Sequence, residues 1–389
     1  MAKLGDIIEQ IRGVSYKPAD LHDNLNNNSV ILLRANNIQN GKIVIDDVVY
    51  VSKNKVSESQ YLRQGDILVC TSSGSKELVG KAAFVDKDLP MVFGAFCKVV
   101  RPKIECCEYM GYFFQAPYYR NHISAASAGA NINNLRNEHI ADLHIPLPSF
   151  DEQRKIAAVL DKVSHLISKR RQQLDKLDEM VKARFVEMFG DPVSNPYDWN
   201  LKGLLQLGDC KNGMNFHSTD VGVNIHCLGV GDFKNLSCIS DTSKLPTVSL
   251  TDIPSDEYML KDGDIVFVRS NGNKALVGRS LVVYPATTPT TFSGFCIRFR
   301  LNSDEVKADY LLRVLKTDSI RKKMAGRGAN IQNLNQKILG ELQIPVPPLD
   351  LQNRFASFVE QTEKTKTTIS HSLDKLETLK KALMQEYFG

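Results

Sequence analysis

Apolar residues recur at the alternating four- and three-residue spacing of a heptad over two long stretches of the chain. The first stretch contains neither proline nor glycine between Pro148 and Gly190, and the second begins after Pro347 and Pro348. This spacing predicts two helices of roughly 40 residues, each about 60 Å long and apolar on one face. The apolar positions are Ile156, Leu160, Val163, Ile167, Leu174, Leu177, Val181 and Met188 in the first stretch, and Phe355, Val359, Ile369, Leu373, Leu376, Leu383 and Tyr387 in the second.

Polar residues mark the start of the first predicted helix and interrupt its apolar face. Ser149 and Glu152 fit a capping box in which Ser149 is the N-cap residue. Arg170 and Arg184 occupy two positions of the apolar face. The packing at these two positions is therefore predicted to be imperfect.

The apolar faces of the two helices have to be buried, and each helix offers the other a matching surface. If a pseudo-two-fold axis relates them, they run antiparallel as a coiled coil and hold the rest of the chain apart at its two ends. The alternative is that each helix lies on its own globular part.

The regions before the two helices have a mixed pattern. In the first, short apolar runs bounded by polar turns predict strands at 43–45, 48–51, 67–69 and 96–100, and residues 109–124 are predicted to be mostly helical despite Pro117. The predicted fold class is α+β. The predicted domains are two mixed globular parts at 1–148 and 191–347, followed by long helices at 149–190 and 348–389.

The chain contains an internal repeat at a nearly constant offset of 198 or 199 residues. A duplication with no functional meaning is one interpretation, but two like domains on one chain favour a pseudo-symmetric target or partner. The matched segments are Gly65-Asp66-Ile67 with Gly263-Asp264-Ile265, Leu78-Val79-Gly80 with Leu276-Val277-Gly278, Phe96-Cys97 with Phe295-Cys296, and Gly129-Ala130-Asn131-Ile132 with Gly328-Ala329-Asn330-Ile331.

Composition narrows the class of protein only modestly. A hydrophobic share of 42% and a charged share of 24% over 389 residues are ordinary for a globular protein with more than one domain. The net charge of +5 permits an acidic partner without arguing for one. The eight cysteines include no C-x-x-C pair, which argues against a structural zinc site. Because the sequence lacks a signal peptide and an 18-residue apolar run, we expect a cytoplasmic protein without a membrane span.

Motifs for catalysis are incomplete. Residues 74–81 resemble a phosphate-binding loop, but the spacing of the glycines is too long and Ala82 replaces the hydroxyl residue that would bind magnesium. Residues 195–198 resemble part of an adenine methyltransferase motif, without the glycine-rich turn that binds the methyl donor. The prediction is therefore no catalytic residue, no metal and no cofactor. A complete enzyme with an unfamiliar site, a coiled-coil scaffold and a stand-alone DNA-binding regulator stay open as alternatives.

Two polar segments have the chemistry to contact DNA. The loop after each Gly-Asp-Ile strand offers hydroxyl, amide and cationic groups for base edges and phosphates, and a basic helix end offers phosphate contacts. A simple polar turn and a solvated helix face are the alternatives. The candidates are Thr71, Ser72, Ser73, Ser75 and Lys76 in the first loop, Arg269, Ser270, Asn271, Asn273 and Lys274 in the second, and Arg321, Lys322, Lys323 and Arg327 on the helix, with Arg120 and Arg136 as a weaker counterpart.

The order of these motifs, and its repetition, resembles the specificity subunit of type I restriction-modification systems over nearly the whole chain. The resemblance includes Leu4-Gly5-Asp6, the run at 33–38, the Gly-Asp-Ile strand at 65–69 and the transition from Pro-Leu-Pro into Glu152-Gln153-Arg154-Lys155-Ile156. The second copy departs from this pattern at 228–233 and 351–355.

That resemblance implies a function without catalysis by this chain. Each globular part would be a target recognition domain that reads one half of a bipartite sequence in double-stranded DNA. The long helices would act as a ruler and as a docking surface for two methyltransferase subunits. Those subunits would carry the methyl donor and modify adenine, and restriction subunits, when bound, would carry the ATP-dependent activity.

Overall fold

The computed structural model describes residues 1–75, 77–127, 134–216, 221–233, 236–325 and 333–389, with the side chains of residues 126 and 127 left aside. The chain forms two compact units. Unit 1 consists of Met1–Gln172 with Ser370–Gly389, and unit 2 consists of Gln173–Ile369. Each unit therefore contains one globular part and one half of each long helix. In the described ranges, no helix has both the length and the apolar character needed to cross a bilayer.

Unit 1 is built on two four-stranded sheets, ordered β2-β11-β8-β9 and β10-β4-β7-β3. Its helices before the long one are α1 (Leu4–Ile7), α2 (Cys107–Phe113), α3 (Pro117–Ser127) and α4 (Asn137–Ala141). Its strands are β1 (Ala2–Lys3), β2 (Ile8–Arg12), β3 (Leu21–His22), β4 (Ser29–Leu33), β5 (Ile38–Gln39), β6 (Lys42–Ile43), β7 (Val49–Ser52), β8 (Ile67–Cys70), β9 (Ala82–Phe84), β10 (Met91–Phe93), β11 (Cys97–Pro102) and β12 (His144–Ile145).

The structure corrects two predicted elements of unit 1. The strand predicted at 43–45 ends at Ile43, because the amide of Val44 donates to the carbonyl of Asn37 and the Asn37 amide group donates to the carbonyl of Val44. The helix predicted at 109–124 is two helices, interrupted at 114–116. The second begins at Pro117, a residue that fits the first turn of a helix but not its interior.

Unit 2 repeats this plan with a five-stranded sheet, ordered β14-β21-β18-β19-β16, and a three-stranded sheet, ordered β17-β15-β20. Its short helices are α6 (Leu204–Leu207), α7 (Ala308–Lys316), α8 (Asp318–Ala325) and α9 (Gln336–Gly340). Its strands are β13 (Asn200–Gly203), β14 (Gly208–Asn212), β15 (Val223–Leu228), β16 (Cys238–Ile239), β17 (Thr247–Leu250), β18 (Asp264–Val268), β19 (Ser280–Val283), β20 (Thr290–Phe292), β21 (Cys296–Leu301) and β22 (Gln343–Val346).

Both long helices are present, as α5 (Phe150–Phe189) and α10 (Leu349–Phe388), each of 40 residues. In unit 1, Leu160 of α5 lies in the same core as Met384 and Phe388 of α10, and Arg171 pairs with Glu377 at 2.6 Å. The residue numbers rise along α5 as they fall along α10, so the two helix segments of unit 1 run antiparallel.

In unit 2 the remaining halves of the same helices also pack antiparallel. Phe185 and Phe189 of α5 both contact Phe355 of α10, with ring centroids 5.6 and 5.5 Å apart. Further along, Asp178 of α5 pairs with Lys366 of α10 at 2.9 Å. The predicted heptad positions did not include the two phenylalanines of α5, which extend its apolar face at the end where it meets the core of unit 2.

The repeated Gly-Asp-Ile motif marks a buried ion pair in each unit. Asp66 pairs with Arg101, and Asp264 pairs with Arg300, in both cases at 2.7 Å and with the aspartate side chain at most 1% exposed. The same aspartates accept hydrogen bonds from backbone amides three residues earlier, those of Arg63 and Lys261. The motif therefore ties the start of β8 to β11, and of β18 to β21.

We expect Asp264→Ala to lower the free energy of unfolding by about 3 kcal/mol, because it leaves Arg300 half-buried without its carboxylate. The matched control is Glu360→Ala, which breaks the exposed pair with Lys364 and should cost much less, because solvent screens that pair. Urea unfolding of both variants measures the difference. Equal losses would show that the buried pair has no special role.

Candidate nucleic-acid interface

Three chain segments meet at one end of the main sheet in each unit. In unit 1 the amides of Thr71 and Ser72 donate to the carbonyl of Phe96 at 2.9 and 3.1 Å, and the amide of Leu135 donates to the carbonyl of Thr71 at 2.8 Å. The loop that follows β8 is thereby fastened to the turn before β11 and to the segment before α4.

The corresponding segments of unit 2 are fastened by equivalent bonds. The amides of Arg269 and Ser270 donate to the carbonyl of Phe295 at 2.8 and 3.4 Å, and the amide of Leu334 donates to the carbonyl of Arg269 at 2.9 Å. We call residues 71–75 loop 1 and residues 269–274 loop 2. They are held on the same framework although their sequences differ.

The side chains of the loops support the turns and also face solvent. In loop 1, the Ser73 hydroxyl accepts a hydrogen bond from the amide of Ser75 at 3.2 Å. In loop 2, the side-chain oxygen of Asn271 accepts from the amide of Asn273 at 2.7 Å, and that of Asn273 accepts from the amide of Ala275 at 3.1 Å. Because these asparagines use their oxygens inward, their NH₂ groups remain as donors toward a ligand.

The exposed members of the loops are those farthest from the framework. Ser75, Asn273 and Lys274 are exposed, whereas Ser72, Ser73, Arg269, Ser270 and Asn271 are intermediate. Thr71 is only 5% exposed, and its hydroxyl donates to the carbonyl of Phe96 at 3.1 Å. We therefore revise the role predicted for Thr71 from contact with DNA to positioning of loop 1.

An arginine from the following helix holds the far end of each loop. Arg120 of α3 donates to the carbonyls of Val79 and Glu77, both at 3.0 Å. Arg321 of α8 donates to the carbonyls of Gly278 and Val277 at 2.7 and 3.1 Å. Burial, with the charge of Arg279 nearby, lowers the pKa of the Arg321 guanidinium.

This contact revises the role predicted for Arg321, whose guanidinium binds carbonyl groups instead of standing free for a phosphate. Its neighbours Lys322 and Lys323 are exposed on α8, and Arg136 is exposed at the start of α4. These three side chains are available for phosphate contacts. The predicted candidates Lys76 and Arg327 lie outside the described residues.

Phe96 is predicted from the sequence to lie in a strand, but β11 begins one residue later. Phe96 is 70% exposed and its counterpart Phe295 is 61% exposed. Both belong to the turn whose carbonyl anchors the loop. The repetition of Phe-Cys in both units was visible in the sequence, but nothing there indicated that the phenylalanine faces solvent while the cysteine is buried.

The parts of the chain that the structure describes contain no group of three or more histidine, cysteine, aspartate or glutamate residues placed to hold a metal ion. The eight cysteines are free thiols, and burial raises the pKa of Cys70 and Cys97, which face each other across β8 and β11. The segment at 74–81 that resembles a phosphate-binding loop begins at the end of loop 1 and continues toward β9.

Comparison with known proteins places this framework in a family. The family model for the type I restriction modification DNA specificity domain matches residues 1–178 and again residues 200–380. The chain belongs to this family.

Individual relatives agree with the family match. The chain is 30% identical to the type I restriction enzyme StySPI specificity subunit of Salmonella potsdam and 27% identical to the EcoKI specificity subunit of Escherichia coli K12. Both alignments cover 100% of this chain and 88% of the relative. The crystal structure of a type I restriction-modification S subunit from M. genitalium has the same fold, with a TM-score of 0.55 and 14% identity over 100% of this chain and 95% of that one. The α+β fold with two repeats and the function of a DNA specificity subunit are thus confirmed.

The two neighbouring cations of α8 should respond differently to substitution. Arg321→Ala should speed amide hydrogen exchange at residues 276–279 at least tenfold, because it frees the end of loop 2. Lys322→Ala should leave exchange unchanged, weaken binding to specific and non-specific DNA about equally, and reduce the slope of log affinity against log salt by about 1. If Arg321→Ala instead left exchange unchanged and reduced the salt slope, Arg321 would be a phosphate contact.

Proposed function

We propose that this chain reads a bipartite target in double-stranded DNA, with loop 1 reading one half-site and loop 2 the other. The observation that carries the proposal is that equivalent hydrogen bonds, to the carbonyls of Phe96 and Phe295, anchor the two loops. The solvent-facing side chains of the two loops differ. A shared framework with unlike contents is what two different half-sites require.

The chemistry of each loop suits a different set of base edges. The residues of loop 1 that can reach a ligand, Ser72, Ser73 and Ser75, offer hydroxyl groups that donate or accept. Loop 2 offers Asn271 and Asn273, whose NH₂ groups can donate to base acceptors such as the N7 of a purine, and Arg269 and Lys274, which can pair with guanine or a phosphate. Loop 2 is therefore proposed to make the stronger direct contacts with bases.

Contacts with phosphates position the protein on the duplex. Lys322 and Lys323 of unit 2 and Arg136 of unit 1 are proposed for this role because they are exposed on helices that flank the loops. Lys76 and Arg327 keep the role that the sequence predicts for them. The net charge of +5 is small, so sequence-independent attraction to DNA should be modest.

The two long helices are proposed to act as a ruler. We propose that α5 and α10 pair over their whole length as an antiparallel coiled coil with pseudo-two-fold symmetry, and hold the recognition domains at 1–148 and 191–347 apart. Support comes from the antiparallel packing in each unit, with Arg171 on Glu377 in one and Asp178 on Lys366 in the other. The helices at 149–190 and 348–389 would then set the spacer between the half-sites.

The partners are proposed from membership of the family, because the relatives are named as specificity subunits of type I restriction enzymes. We propose that two methyltransferase subunits dock on this chain, and that restriction subunits can join them. This chain is proposed to be non-catalytic, with the methyl donor and ATP bound by the partners. The proposed location is the cytoplasm.

The proposal is tested by replacing residues 71–76 with residues 269–274 in the complex with methyltransferase subunits. The methylated motif, read by sequencing of genomic DNA, should change in one half-site and keep the other half-site and the spacer. The matched control is Lys87→Ala, an exposed change elsewhere on unit 1, which should leave the motif unchanged.

Three results would count against the proposal. A change in both half-sites would show that loop 1 is a structural element. An unchanged motif would place base reading outside the loops. A chain that binds DNA with no methyltransferase partner at all would favour a stand-alone regulator.

A further inference from the structure

Each unit exposes one phenylalanine beside its loop. Phe96 and Phe295 have 70% and 61% of their surface exposed, whereas Phe150, another exposed phenylalanine, has 43%. Burying a phenylalanine is worth about 1.5–3 kcal/mol, so leaving one in solvent gives up that stabilisation. The same position does so in both repeats.

Backbone hydrogen bonds hold both turns in place. In unit 1 the amide of Cys97 donates to the carbonyl of Gly94 and the amide of Gly94 donates to the carbonyl of Leu33, at 2.8 and 2.9 Å. In unit 2 the amide of Cys296 donates to the carbonyl of Ser293 at 2.8 Å, and the amide of Gly294 to that of Met214 at 2.6 Å. The two turns are thus fixed to the sheets and do not need to refold to present their rings.

The backbone of the turn is also closely packed against a glycine in each unit. A Cβ atom on Gly13 would lie 2.1 Å from the carbonyl oxygen of Gly94, and one on Gly213 would lie 2.1 Å from that of Ser293. A glycine is therefore required opposite the turn in each unit. Such close support restricts the turn to one position, which lowers the cost of ordering it on binding.

The loop beside each ring is polar and contains no carboxylate. Loop 1 is Thr-Ser-Ser-Gly-Ser and loop 2 is Arg-Ser-Asn-Gly-Asn-Lys. In unit 2 the Arg269 guanidinium donates to the carbonyl of Gly294 at 3.4 Å, so a cation lies directly against the turn of Phe295. A single ring beside hydroxyl groups in unit 1, and beside amide groups and cations in unit 2, differs from a protein-docking surface, which has a contiguous apolar core.

We propose that Phe96 and Phe295 contact DNA directly, each ring packing against base faces at the edge of the half-site that its own unit reads. This inference rests on the proposed function of the loops. Base faces are the part of DNA that an aromatic ring recognises, whether by stacking or by insertion at a base-pair step. The anchored loop would then place its polar groups over the neighbouring base edges, so ring and loop would read adjacent positions.

The test uses the complex of this chain with methyltransferase subunits. It measures the affinity of that complex for a DNA duplex that contains the sequence motif it methylates, at several salt concentrations. Phe96→Ala and Phe295→Ala should each weaken binding about tenfold without changing the slope of log affinity against log salt, because an uncharged ring releases no counterions. Lys274→Ala should instead reduce that slope. Phe96→Trp, which keeps an aromatic face, should bind within about threefold of the wild type.

Matched controls separate this contact from a loss of exposed apolar surface. Leu25→Ala in unit 1 and Ile253→Ala in unit 2, where the two side chains are 57% and 71% exposed, should leave affinity unchanged. All four alanine variants should keep the thermal midpoint of the wild type, since the side chains removed are exposed.

Distinct results would overturn the inference. If Phe96→Ala and Phe295→Ala bind the motif as tightly as the wild type, the rings do not contact DNA, while the proposed function stands as long as the wild type prefers its motif to a scrambled duplex. If the variants fail to assemble with methyltransferase subunits, the rings bind protein. If the wild type shows no preference for the motif, the proposed function falls and this inference with it.

Discussion

The whole structure depends on burial of the apolar faces of the two long helices. A helix of 40 residues with a single apolar stripe gains its stability from what covers that stripe. In unit 1 the ring of Phe388, near the end of α10, packs on Tyr109 and Phe113 at 5.0 and 6.0 Å. In unit 2 the ring of Phe355, near the start of α10, packs on Phe185 and Phe189 of α5. Neither core is complete without both helices, so the two units share them.

The two repeats share the interactions that build the framework, whereas the side chains of loops 1 and 2 differ between them. The hydroxyl of Tyr109 donates to the carbonyl of Pro146, as that of Tyr310 does to the carbonyl of Pro345, at 2.8 and 2.9 Å. Each bond fixes a helix of the globular part to the segment that leads into a long helix. The loops vary on this fixed base, and for a protein that reads two unlike half-sites this division lets recognition change without disturbing the fold.

Periodic features of the chain were predictable from the sequence, because spacing alone determines them. The heptad positions placed both long helices, and the constant offset placed the two repeats. Tertiary hydrogen bonds were not predictable from the sequence. The side chains of Thr71 and Arg321 are of the types that contact DNA, but in the structure their polar groups donate to carbonyls of the protein itself. The apolar run that contains Phe96 predicts a strand, but Phe96 lies in the turn before β11 and its side chain is exposed. Local patterns do not show which partner a polar group will find, or which side of a turn faces out.

The ruler is the claim on which the reading of a split target depends. One heptad removed from the middle of each helix, at residues 172–178 and 367–373, shortens both by about 10 Å and rotates the faces by only about 20°. Sequencing of methylated genomic DNA would then give the spacer. We expect the same two half-sites with a spacer shorter by about three base pairs, and loss of methylation when one helix alone is shortened, because the antiparallel register is then broken. An unchanged spacer in the double deletion would contradict the account.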